Sequence, residues 1–367
     1  MKLSKSLFIL LLATMLLPIK AQNIIHPKIA GPNGLWVNSY NGILFFERTD
    51  MATQNSAMPM SLRFYYNSSR YATDYGYGLG FSLGYEMRYS VDANGNVSIE
   101  TGDGRTDTYK RYGTDYEAPA GVFGLLEKSE NGTYTLTEKD GTVYFFGDTR
   151  YHKLTAITDR NGNKTELVYT DSLLTQIKDA VGHTISLSYA NGLLVSAQSS
   201  FHQGTIKYEY DADRCLKKRT DAMGYSILYA YDHNNRLEAI TDANGNKTMI
   251  AYNPAGMCSR LKTDVTDKSI RYDGDKTIFI DYTQPKNQYS YYRWDGKGRV
   301  IEKVGLCCGS QTQLEYDEDD NVIKRIDANG GMSTYTYDDR GNMLSVTDAL
   351  GHTERYTYET VFNQVAS

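Results

Sequence analysis

The sequence has little of several things. Proline occurs seven times and tryptophan twice in 367 residues, and there are four cysteines and six histidines. A basic excess is missing too: 39 Lys and Arg face 44 Asp and Glu. That balance argues against a nucleic-acid footprint, which needs concentrated positive charge. Beyond the first 21 residues no apolar run is long enough to cross a bilayer as a helix, which takes about 20 residues. The histidines do not cluster in sequence. There is no His-Glu-x-x-His, no paired-cysteine zinc spacing and no Gly-x-Ser-x-Gly. These gaps make an enzyme the weakest reading. We expect no catalytic residues, no metal site and no cofactor.

What is present begins with a secretory pattern at 1–21. Lys2 and Lys5 precede an apolar run from Leu7 to Leu17, and Ala21 suits a cleavage position. Removing this segment removes three lysines and no acid, so the charge moves from −5 to −8. The mature chain is expected to be exported: extracellular, at the cell surface or periplasmic, with no transmembrane span.

Tyrosine is in large excess, at 32 against 11 phenylalanines, and glycine also numbers 32. Tyrosine favours strands, where its ring covers a pleated surface and its hydroxyl reaches a partner or water. Many strands joined by glycine turns fit this composition better than helices do.

The tyrosines are periodic. "LTAITDRNGNKTELVY" (154–169) returns as "LEAITDANGNKTMIAY" (237–252) and "MLSVTDALGHTERYTY" (343–358). The closing aromatics are Tyr169, Tyr189, Tyr210, Tyr231, Tyr252, Tyr272, Trp294, Tyr316, Tyr337 and Tyr358, spaced 20–22 residues apart. Such periods signal stacked repeats. An aliphatic follows most of them by five or six residues: Leu174, Leu194, Leu216, Leu237, Met257, Val300, Val322 and Met343. Next comes a turn with Asp and Gly: Asp159 and Gly162, Asp179 and Gly182, Asp242 and Gly245, Asp327 and Gly330, Asp348 and Gly351. Asn-Gly and its equivalents suit a tight hairpin through their positive φ angles.

Each unit therefore reads as a β-hairpin. Its second strand alternates, with Ile185, Leu187 and Tyr189 on one face and Ser186 and Ser188 on the other. A lone hairpin is marginal in water. A row of hairpins can stack Tyr on Tyr across neighbouring strands, at about 0.2–1 kcal/mol per pair. The fold class expected is all-β: repeated hairpins forming one continuous sheet. The chain divides into a signal at 1–21, a β-rich N-terminal domain at 22–150 that starts the sheet, and about ten hairpins at 151–367.

Apparent sites have plain explanations. His183 and His352 fill a turn slot held elsewhere by Asn163, Tyr225 and Asn246. "DANGNVSIE" at 92–100, "DRNGNK" at 159–164 and "DANGNK" at 242–247 look like calcium loops. Val97, Lys164 and Lys247, however, stand where an EF-hand requires glycine. These are read as capped hairpin turns. "DGKGR" at 295–299 is too short for a phosphate loop. Two strands per repeat at about 4.8 Å put Cys215 and Cys258 about 19 Å apart, too far for a disulfide. They are expected as free thiols. Neighbouring Cys307 and Cys308 leave a strained vicinal disulfide open.

Tyr-Asp, an aliphatic, Asp-x-x-Gly and a closing Tyr, recurring about ten times from residue 150 on, resemble the YD repeats of the Rhs family. Earlier stretches resemble the N-terminal part of such proteins: "LRFYYNSSR" (62–70), "YGLGFSLGYEMRY" (77–89) and "GTYTLTEKDGTVYFF" (132–146). The resemblance implies a sheet strip that spirals into a hollow shell. In complete members the shell encloses a C-terminal toxin, freed by self-cleavage near a Pro- and Gly-rich core motif. This chain has neither that motif nor a divergent tail, and it stops at "YETVFNQVAS", where Phe362 to Val365 read as the start of another strand. The expectation is an exported shell or scaffold part without its own toxin domain, partnered by a downstream continuation or toxin. Carbohydrate or cell-surface binding by exposed Tyr and Asp is the alternative.

Overall fold

The computed structural model describes residues 26–53, 58–119, 121–283, 288–305, 311–359 and 365–366. The secretory segment, Cys307, Cys308 and residues 360–364 lie outside the described residues.

The described residues are nearly all β, with 54% of them in strands. From Leu125–Lys128 to Thr353–Arg355, 23 strands form one sheet in which every strand pairs antiparallel with its sequence neighbours. No crossover interrupts it. A local rule is enough to build this strip, because each hairpin needs only the one before it.

The alternation of side chains holds. Ile185 and Leu187 are buried, while Ser186 and Ser188 are exposed. The buried face continues through Leu167, Ile177, Ala197, Ile206, Ile240, Ile250, Leu261 and Ile270. Beyond Val300 no hydrophobic side chain among the described residues is buried.

The N-terminal strands differ from the expectation of one continuous sheet. Lys28–Ala30, Leu35–Asn38, Leu44–Ala52, Ser61–Asn67 and Phe81–Leu83 form a separate five-stranded sheet. Arg88–Val91, Val97–Glu100, Thr106–Tyr112 and Asp115–Glu117 form a four-stranded one. The long strip then starts at Leu125, inside the segment assigned to the N-terminal domain. Burial gives the reason. Phe81, Ser82 and Leu83 are all buried, so both faces of that strand are covered. A strand buried on both sides is an inner layer and cannot extend a strip with one wet face.

That layer lies on the strip's apolar face. Phe64 meets Tyr208 at 5.7 Å between ring centroids, Phe81 meets Tyr229 at 5.8 Å, and Tyr77 meets Tyr189 at 6.5 Å. The aromatic face of the repeats is thus the one the N-terminal layer covers.

The turns also depart from the expected type. In Asp242–Asn246 only Gly245 has positive φ, at +85°. The Asp242 amide donates to the Asn246 carbonyl, and the Gly245 amide to the Asp242 carbonyl. This is a longer, bulged closure in place of a two-residue Asn-Gly turn. The aspartate decides it. Asp242 Oδ1 accepts from the backbone amides of Asn244 (2.9 Å) and Asn246 (2.8 Å).

Candidate functional site

The repeat aromatics form one relay. Tyr169 lies beside Leu174 on the following strand, while its hydroxyl donates back to the Leu154 carbonyl at 2.9 Å. Tyr189 pairs with Leu194 and donates to the Leu174 carbonyl at 2.9 Å. The step repeats for Tyr210 to Leu194, Tyr231 to Leu216, Tyr252 to Leu237 and Tyr272 to Cys258, all at 2.8–2.9 Å. After a variant unit it resumes with Tyr316 to Val300, Tyr337 to Val322 and Tyr358 to Met343, at 2.7–2.9 Å.

The variant unit keeps the connection by other means. Tyr272 pairs with Thr277, and Trp294 Nε1 donates to Thr277 Oγ1 at 3.1 Å. An indole can only donate, so this joint works because threonine offers an acceptor oxygen. All ten aromatics named from the sequence therefore lie on one relay, each bonded to the unit before it.

This corrects the expected handhold. No ring pair links one repeat tyrosine to the next among the described residues. The joint is a hydroxyl-to-carbonyl hydrogen bond, about 1 kcal/mol net apiece. A strand bulge accompanies eight of the ten joints, while Tyr272 makes its bond without one. The register shifts just before Tyr169, Tyr189, Tyr210, Tyr231, Tyr252, Trp294, Tyr316 and Tyr337. The aliphatic slot is corrected in one repeat. Cys258, not Met257, pairs with Tyr252, and Cys258 is fully buried.

Burial raises the phenol pKa of Tyr169, Tyr189, Tyr210, Tyr231, Tyr252 and Tyr272. A phenol held neutral and donating to a carbonyl is suited to holding structure. Cys215 and Cys258 are free, and burial pushes both thiols up to about 12.

The turn aspartates each accept from the backbone amides two and four residues on: Asp159 from Asn161 and Asn163, Asp179 from Val181 and His183, Asp327 from Asn329 and Gly331, Asp348 from Leu350 and His352. Gly162, Gly182, Gly330 and Gly351 supply the positive φ. His183 and His352 hold their own turn aspartates at 2.8 and 3.0 Å. These residues sit on successive turns and converge on no common centre. Among the described residues no group of three His, Cys, Asp or Glu could hold a metal ion.

Sequence reasoning missed how the N-terminal layer docks. Amides of the relay's carbonyl partners donate to it: Leu154 to the Met87 carbonyl, Leu194 to Gly76, Cys258 to Gly42, and Leu237 to the Tyr66 hydroxyl. A Cβ on Gly42 would lie 2.4 Å from Met257 Cβ, so the close approach there requires glycine.

A buried charge cluster completes the joint. Arg48 bonds Asp50 through Nε at 2.6 Å and Nη2 at 3.0 Å, and it donates to the Tyr229 hydroxyl. The Tyr208 hydroxyl donates to Asp50 at 2.7 Å. Arg219 Nε comes within 3.1 Å of Asp50 without hydrogen-bond alignment. The Asp50 side chain is fully buried. The only trace in sequence is that Phe46, Arg48 and Asp50 fall on one face of a strand, which reads equally well as a wet face.

The N-terminal region matches a domain of unknown function, DUF6531, over residues 34–109. Residues 131–251 match the Teneurin YD-shell family, and residues 316–353 match the RHS Repeat family. The chain is an Rhs/YD-repeat protein. No curated protein matches its sequence. Solved structures resemble this Rhs/YD chain distantly. One is TcdB2-TccC3 without its hypervariable C-terminal region, at 15% identity and a TM-score of 0.46, covering 92% of this chain and 22% of that one. Another is a mutant Tc holotoxin pore of Photorhabdus luminescens, at 9% identity and a TM-score of 0.30, covering 89% of this chain and 23% of that one. The Rhs/YD chain spans about a fifth of their length.

Proposed function

We propose that this Rhs/YD protein is an exported structural element, a shell or scaffold part of an Rhs-type toxin-delivery or cell-contact system, and not an enzyme. The unbroken aromatic relay from Tyr169 to Tyr358 carries this reading. Every repeat commits its signature side chain to the preceding unit: each tyrosine hydroxyl is bonded to a backbone carbonyl, and the Trp294 indole to Thr277 Oγ1. A second support is the N-terminal layer, which closes one face of the strip through buried contacts.

On this reading the ten aromatics and the turn Asp and Gly residues are structural. The N-terminal layer, the strip and a removable leader are the working parts of the chain. Its partner is a polypeptide that continues the strip or is held by it. Among the described residues no helix is long and apolar enough to cross a membrane, which says nothing of a β-barrel.

Co-expression with the polypeptide encoded directly downstream tests this. A stable complex in which that polypeptide resists protease is expected. If the two never associate and the partner is digested as fast as when alone, the shell reading fails. Periplasmic and extracellular fractionation of tagged protein tests export: retention in the cytoplasm with the leader intact would refute it.

A further inference from the structure

A cleft of about 380 Å³ opens where the three sheets meet, outside the repeat tyrosines. Tyr65 comes from the five-stranded sheet, Asp103 to Asp107 from the four-stranded one, and Glu138 and Tyr144 from the second hairpin of the long strip. Phe123 closes one side. Binding clefts commonly measure about 300–1,000 Å³ and sit between packed units.

Its chemistry is mixed in a specific way. Three aromatic side chains, Tyr65, Tyr144 and Phe123, are only partly covered. Asp107 is held by Arg105 through bonds of 3.0 and 2.9 Å, which fixes that carboxylate in place. Glu138 is partly buried, yet among the described residues no hydrogen bond or ion pair engages its carboxyl. Its oxygens are open to the cleft and can accept from a ligand. Burial raises the pKa of both Asp107 and Glu138. At the base, a Cβ on Gly102 would sit 2.4 Å from the Leu83 carbonyl, so the two sheets meet at contact distance there.

A ligand for this surface needs hydroxyl donors for the carboxyls, acceptors for Arg105, and an apolar face for the rings. It should carry little charge, because both signs already line the walls. A phosphate would meet Asp103, Asp107 and Glu138, and an amine would meet Arg105 and Lys139. A pyranose ring satisfies all of these conditions: its hydroxyls both donate and accept, and its C–H face packs on aromatic rings. We propose that this cleft binds a neutral saccharide unit of a glycan, with Glu138 and Asp107 accepting its hydroxyls and Tyr144 and Tyr65 packing on its ring. The site stands apart from the shell reading, because none of its residues belongs to the relay.

The test is a neutral-oligosaccharide array probed with the labelled full chain, alongside Glu138→Gln, Tyr144→Ala and the exposed control Tyr289→Ala. The wild type and the control should bind the same glycans. Each cleft variant should weaken that binding at least about tenfold, the effect of about 1.4 kcal/mol. Glu138→Gln keeps the shape of the side chain, so it decides the matter if Tyr144→Ala does not fold. Absence of any bound glycan, or binding undiminished in Glu138→Gln, overturns the proposal.

Discussion

Raising the pH should dismantle the relay. Six of its tyrosines, at 169, 189, 210, 231, 252 and 272, are held neutral by burial, with each phenol pKa raised. In the unfolded chain the same phenols ionise near pH 10. Because the folded pKa values lie higher, this stability is fully present below pH 10. It is lost as the pH climbs from there toward the folded values. Each pH unit costs about 1.4 kcal/mol per tyrosine, or about 8 kcal/mol for the six at pH 11. A whole domain is stable by only about 5–15 kcal/mol. Cooperative unfolding near pH 11 is expected, after a first phase in which freely solvated phenols ionise near pH 10. Tyrosinate absorbance and far-ultraviolet circular dichroism, recorded together, would show two phases, the second coinciding with loss of strand signal. If all tyrosinate absorbance develops with one midpoint near 10 while the dichroism stays native, the phenols are not sequestered and the relay is wrong.

Removing the buried acid should loosen the N-terminal layer. Asp50→Ala strands Arg48 and Tyr208, and should cost about 3–5 kcal/mol in urea unfolding; a loss below 1 kcal/mol would refute the lock. Asn235 holds a positive φ of +62° where other turns use glycine, so Asn235→Gly should stabilise by about 0.5–1 kcal/mol, read as a raised Tm. Cys215 and Cys258, both fully buried with thiols pushed up to about 12, should escape alkylation at neutral pH until the protein unfolds, as mapped by mass spectrometry. Rapid labelling of either in the native protein would contradict that burial.

The repeat was legible because its determinants are local. Alternation at 185–189, Asp and Gly at fixed offsets, and an aromatic every 20–22 residues each report on a strand and its immediate neighbour. What the tyrosine does with its hydroxyl was not legible. Tyr252 and Leu237 are 15 residues apart on neighbouring strands, and the reach of the ring back to that carbonyl is set by how those strands pair. Nor did the Asn-Gly pairs reveal their turn type, because the Asp242 carboxylate imposes a longer closure.

The sequence by itself determined that this chain is a meander of hairpins, since antiparallel neighbours joined by short turns need no information from afar. Only the tertiary structure decided which face is covered and by what. Arg48 reaches Tyr229 across 181 residues and Tyr66 reaches Leu237 across 171. Contacts at such separations depend on where the whole strip curves, and no short pattern of residues encodes that.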